Sequence, residues 1–151
     1  MINTTLPDSS RVWVYQSNRF FSSDEIKFVQ DKLKSFIQGW NNHGTNLTAD
    51  AFVVSPSFVI LAVNESDINA SGCSIDSSVR FIKQIGEELK IDFFNRLKVL
   101  IENNNEFKYV SLHALADYDD CNTFNTLVQT LGEFKNSFKI SVRQSPLFQI
   151  K

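Results

Sequence analysis

Apolar residues recur along the chain at two spacings, and the places where the spacing changes divide it into elements. Arg11-Val12-Trp13-Val14-Tyr15 is a short run of β-branched and aromatic residues between polar flanks, the pattern of a strand buried on both faces. Ser22 and Glu25 then stand as a capping box, with Phe21 and Ile26 at the positions of a hydrophobic staple. Ile26, Val29, Leu33, Phe36, Ile37 and Trp40 follow at helical spacing. They predict a helix that ends at Asn41-Asn42-His43-Gly44, where glycine is a natural terminator. Residues 51–54 and 58–63 predict two strands joined by Ser55-Pro56-Ser57. The second is continuously apolar, so it belongs in the middle of its sheet. A polar loop over 64–72 leads to a second helix at about 76–90, with Val79, Ile82, Ile85 and Leu89 facing inward.

Residues 96–101 and 107–112 predict two more strands around the turn Asn103-Asn104-Asn105. Beyond them the pattern gives a short helical piece at 113–118, a strand at 123–128, a short helix at 132–138 and an extended stretch at 139–143. The first six elements run strand, helix, strand, strand, helix, strand, which is the ferredoxin-like order. The expected fold is therefore α+β: an antiparallel sheet with two long helices on one face. On this reading a ferredoxin-like βαββαβ core spans about 10–102, and 103–151 is a C-terminal extension of the same single domain. In that topology the end of the first helix and the start of the second meet at one edge of the sheet, which brings His43 toward Cys73. Gln16, Ser17, Asn18 and Arg19 fall at the opposite edge.

Composition narrows the function classes. A chain of 151 residues that is 42% hydrophobic, with 14 Phe, can fill a core without disulfides or metals. Its net charge of −2, with acids and bases interspersed, lacks the basic footprint of a nucleic-acid binder. The longest apolar run, Phe58 to Val63, is far too short to insert into a membrane. The first ten residues have neither the charged nor the apolar region of a signal peptide, and cytoplasm is the expected location. Two cysteines, Cys73 and Cys121, fit no metal spacing, and no cofactor motif is present. Glu65 and Asp67 alone are too few carboxylates for a cation site, so no metal is expected.

The chemistry-like segment is Ser71-Gly72-Cys73-Ser74-Ile75-Asp76 at the start of the second long helix. A thiol just before a helix N-terminus meets unpaired N–H groups and the positive end of the helix dipole, which favour its thiolate. With His43 as a base, Cys73 would have the parts of a covalent catalyst. The same segment offers backbone N–H groups and the side chains of Ser71, Ser74, Asp76 and Ser78 around Gly72 to a phosphate or carboxylate. A purely structural account is also open. In it Asp76 or Ser74 is the N-cap, Gly72 supplies a positive φ, Cys73 is a small buried hydrophobe, and His43 caps its helix or packs on Trp40.

Three stretches together carry a family resemblance: Arg11-Val12-Trp13-Val14-Tyr15-Gln16-Ser17, Trp40 with His43-Gly44, and Ala70-Ser71-Gly72-Cys73-Ser74-Ile75-Asp76 with Ser78-Val79 and Phe81-Ile82. They resemble a family of small bacterial proteins that carry the label "ABC transporter ATPase". The likeness continues through Asp92 and Arg96 and returns at Phe124-Asn125 with Leu127-Val128. No G-x-x-x-x-G-K-[ST] loop exists in this chain, so an ATPase is excluded. The resemblance implies no particular reaction. The expectation is thus a non-catalytic domain that binds a partner protein or small anionic ligand at the His43/Cys73 edge. The alternative is a thiol-dependent enzyme or redox-responsive protein using Cys73 with His43.

Overall fold

The structure is a computed structural model that describes residues 2–148; Met1 and residues 149–151, which the single-domain expectation included, lie outside the described residues. In chain order come β1 (Arg11–Gln16), α1 (Ser23–Gly39), a small hairpin of β2 (Asn41–Asn42) and β3 (Thr45–Asn46), β4 (Thr48–Val54), β5 (Phe58–Asn64) and α2 (Gly72–Leu89). Then follow β6 (Lys98–Asn103), β7 (Glu106–Ser111), a 3-10 helix at Leu112–Tyr118, β8 (Asn122–Phe124), α3 (Leu131–Ser137), β9 (Lys139–Ser141) and a 3-10 turn at Val142–Gln144. The architecture is α+β, with antiparallel sheets ordered β1-β5-β4 and β7-β6-β8-β9.

β5 is central, and both its faces are covered. Val59, Leu61 and Val63 pack with Val29 and Leu33 of α1 and Ile82 and Ile85 of α2. Phe58, Ile60 and Ala62 pack with Leu100 of β6, Val128, and Leu131 and Phe134 of α3. All six strand residues have no exposed surface. This explains the main departure from the sequence expectation. The strand expected to complete a ferredoxin-like sheet beside β1 is β6, and it pairs with β7 and β8 instead. A ferredoxin-like sheet leaves one face to solvent, and here that face would expose Phe58 and Ile60. The polypeptide after α2 closes over it, so residues 98–103 group with the C-terminal elements. β1 is left as an outer strand in which Val12 alone is buried, not the doubly covered strand its pattern predicts.

Local chemistry moves three other boundaries. α2 starts at Gly72 rather than near 76, because Ser71 is the N-cap and Ser74 completes a capping box with it. α1 stops at Gly39, with Trp40 extended at its end, because Asn41–Asn46 forms the β2–β3 hairpin. The strand expected over 123–128 is only three residues long, because Asn125 Oδ1 accepts the Leu127 N–H at 3.0 Å and turns the chain.

Two polar clasps fasten the layers. Arg19 grips Glu25 through both guanidinium nitrogens, at 2.8 and 2.6 Å, and donates to the Leu89 carbonyl at 2.6 Å, tying the start of α1 to the end of α2. That places Arg19 at the opposite end of α2 from Cys73. Glu102 of β6, 4% exposed, accepts from Lys139 of β9 (3.1 Å), Asn122 of β8 (3.2 Å) and the Asn105 N–H (3.2 Å). At the end of α2 the chain folds back so tightly that a Cβ on Gly86 would stand 2.5 Å from the Ile91 carbonyl oxygen.

Gly86→Ala should therefore destabilise the chain by about 1–3 kcal/mol in urea unfolding, although alanine is the better helix former. The Arg19 guanidinium holds the Glu25 carboxyl down at about 2, from an ordinary 4.5. A carboxylate depressed on folding stabilises fully above its unfolded pKa, and that stability is lost as pH falls toward the folded one. Glu25→Gln should reduce the loss of stability measured between about pH 4.5 and pH 2, relative to the parent chain, and leave the part due to Glu102.

Candidate functional site

The segment from Trp40 to Gly44 follows from two backbone requirements. Trp40 leaves α1 in extended geometry (φ −71°, ψ 126°), which turns its indole inward, where it is 2% exposed. Asn41 to Asn46 then reverses in a two-residue loop whose central residues, His43 (φ 50°) and Gly44 (φ 89°), both have positive φ. That is the geometry of the tight hairpin turn, which glycine takes freely and histidine at some cost. Asn41 Oδ1 accepts the Gly44 N–H at 3.0 Å and sets the turn. His43 is thus a hairpin tip and not a helix cap.

The start of α2 is fastened to this hairpin from beneath. Trp40 Nε1–H donates to the Ser74 carbonyl at 2.8 Å, and Ser74 Oγ–H donates to the Asn41 carbonyl at 2.7 Å. Asn42 Nδ2 donates to the Asn69 carbonyl at 2.9 Å. Trp40 also meets Trp13 of β1 edge to face at 5.8 Å. The two segments that the topology argument brings together do meet, through backbone carbonyls and an indole.

Most of the hydroxyls expected to bind a ligand are engaged in this joint. Ser71 Oγ accepts the Ser74 N–H (3.1 Å) and lies 2.9 Å from Ser74 Oγ, which itself accepts the Ser71 N–H at 3.2 Å. Ser78 is fully buried and donates to the Ile75 carbonyl at 2.6 Å; Tyr15 packs beside it, and burial pushes the Tyr15 phenol up. Ser77 Oγ donates to the Ser74 carbonyl at 2.8 Å. The structural alternatives change as well. The N-cap is Ser71, neither Asp76 nor Ser74. Gly72 is the first helical residue and has no positive φ, and a side chain there would meet open space. Cys73, the second helical residue, is exposed rather than buried, and Asp76 is exposed one turn along.

What stays open is surface. Cys73, His43, Phe36, Trp40 and Ser77 line a depression of about 460 Å³. His43 is shared with a second depression of about 530 Å³, lined by Asn42, Glu65, Asp67 and Asn69. Glu65 is shared in turn with a cleft of about 610 Å³ along β1. The two depressions that share His43 are together the trough, and the cleft along β1 is distinct from it. Glu65 is a loop staple: its Oε2 accepts the Ala70 N–H at 2.8 Å and lies 3.9 Å from Arg11. Among the described residues no group of three or more potential ligands could hold a metal ion. No helix among them is long and apolar enough to cross a membrane.

Two other candidates lie elsewhere. His113 is on the 3-10 helix after β7, away from the trough. Cys121 is buried beside Asp120, and burial pushes its thiol up. Sequence reasoning placed Asn41 and Asn42 at this edge but missed the bonds they make and the reach of the trough to Glu65. The dipeptide His43-Gly44 between polar residues is a hairpin signal that points to the first. Comparison with protein-family models, with curated proteins and with solved structures gives no match.

Ser74→Ala removes a cap acceptor and a cross-link to Asn41 together. It should cost about 1–2 kcal/mol in urea unfolding, while the indole bond to the main-chain carbonyl at position 74 is kept.

Proposed function

We propose that this chain is a non-catalytic binding domain whose His43/Cys73 edge receives a partner protein. The observation that carries the reading is the pair of depressions that share His43, one lined by Cys73 and the other by Glu65, open while the hydroxyls beneath them are engaged internally. An anion needs several converging free donors. Here Ser71, Ser74, Ser77 and Ser78 are bonded within the chain, which favours a polypeptide over the small anionic ligand. We read β1, α1, β4, β5 and α2 as five elements of a ferredoxin-like arrangement that presents this edge. The likeness of Arg11 to Ser17, of Trp40 with His43-Gly44 and of Ala70 to Asp76 to the small bacterial family supports assigning the chain to that family. A bacterial cytoplasm suits two free cysteines.

A photo-crosslinking residue at position 43, introduced in living cells, tests the partner reading. It should give one discrete covalent adduct that Cys73→Trp abolishes by filling the depression. Adducts identical to those from a crosslinker at exposed position 88 would contradict the proposal. So would a melting-temperature rise with phosphate, nucleotides or small carboxylates, which would favour the anionic ligand.

The thiol reading keeps one supporting observation: Cys73 is exposed in the first turn of α2 and shares its depression with His43. Iodoacetamide labelling at fixed pH separates the two. A non-catalytic Cys73 should label at the same rate in the parent chain and in His43→Ala. A rate that falls at least tenfold in His43→Ala would favour the enzyme or redox protein.

A further inference from the structure

The outer edge of β1 changes character halfway along. Ser17 N–H donates to the Ser57 carbonyl at 2.8 Å and continues the register that sets Arg11 opposite Val63, so the odd-numbered residues bond toward β5. Ser10, Val12, Val14 and Gln16 therefore turn their N–H and C=O groups outward. The chain over residues 129–131 pairs with the first of these. Val12 N–H donates to the Gln129 carbonyl at 3.0 Å, and Leu131 N–H donates to the Ser10 carbonyl at 2.8 Å, around a bridge of Arg11 with Thr130.

There the pairing stops. The Gln129 N–H goes to Glu133 Oε2 at 3.4 Å instead of to Val12, and the Leu127 N–H is held by Asn125. β1 and the turn over residues 126–128 then line the two sides of the cleft of about 610 Å³. Among the described residues the outward N–H and C=O of Val14 have no backbone partner. Gln16 Nε2 closes the far end by donating to the Lys98 carbonyl at 3.1 Å. Leu127, 59% exposed, lines the facing wall.

We infer that this cleft is a strand-addition site for an extended segment of a partner polypeptide. Val12 C=O, Val14 N–H and Val14 C=O present acceptor, donor and acceptor at strand spacing, which an extended backbone matches. The window from Val12 to Gln16 is about 13 Å long and admits three or four residues. A second folded copy of this chain suits it less, because the cleft is walled on both sides by this one. A residue set opposite Val14 projects to the same side of the sheet as Val14, so an apolar side chain there would cover Val14 and Leu127. The site is separate from the His43 depression, and each is tested by its own variants.

The test selects binders from a displayed library of random nonapeptides and titrates the best synthetic peptide into ¹⁵N-labelled chain. Amide shifts should centre on Val12, Val14 and Gln16. Replacing the Val14 amide N–H by an ester, with α-hydroxyisovaleric acid at position 14, should weaken binding at least tenfold while the remaining spectrum stays folded. Leu127→Asp on the opposite wall should weaken it similarly, and Cys73→Trp should leave it unchanged. The inference is overturned if no peptide is enriched, if shifts centre elsewhere, or if the ester variant binds as well as the parent. A concentration-dependent dimer closed through β1 would overturn it equally.

Discussion

β5 must be covered on both faces, and most of the architecture follows from that constraint. Six consecutive apolar residues cannot alternate inward and outward, so Phe58, Ile60 and Ala62 need a second layer as much as Val59, Leu61 and Val63 need the helices. Each fully buried large side chain contributes about 1.5–3 kcal/mol relative to exposure. That gain outweighs the ladder bonds β6 would make beside β1. Hence the second sheet and α3 close under β5, and β1 is left with a largely unpaired edge.

The candidate site is a consequence of the same arrangement. The helices that cover the upper face of β5 present the end of α1 and the start of α2 at one edge. There the joint is made by Trp40, Ser74 and Asn41 through bonds to backbone. Side chains anchored by carbonyls leave little freedom to the hairpin tip. His43 and Cys73 consequently stand on a firm base at the rim of a trough, while the hydroxyls around them serve the fold.

Much of this was legible in the sequence wherever one residue pair decides one local geometry. Ser22 with Glu25 fixed the start of α1, and the unbroken run from Phe58 fixed the central strand. The meeting of the Trp40 and Ser71 segments followed from chain order alone. The start of α2 was harder to read because a serine stands where a capping box usually has Glu or Gln, and Ser74 and Ser78 lie on the buried stripe where apolar residues were sought. The placement of β6 was not legible locally. It depends on which face of β5 the distant residues Leu131, Phe134 and Phe138 cover, and no short-range pattern encodes that.

The account's central claim is that the joint beneath the candidate site is as firm as the core it hangs on. Residue-resolved hydrogen exchange tests it most directly. The Trp40 indole proton and the amides of Val59, Leu61 and Val63 should exchange with one common free energy, equal to that of global unfolding. An indole proton that exchanges through an opening several kcal/mol cheaper than that of the β5 amides would contradict it, because the hairpin would then move independently of the core.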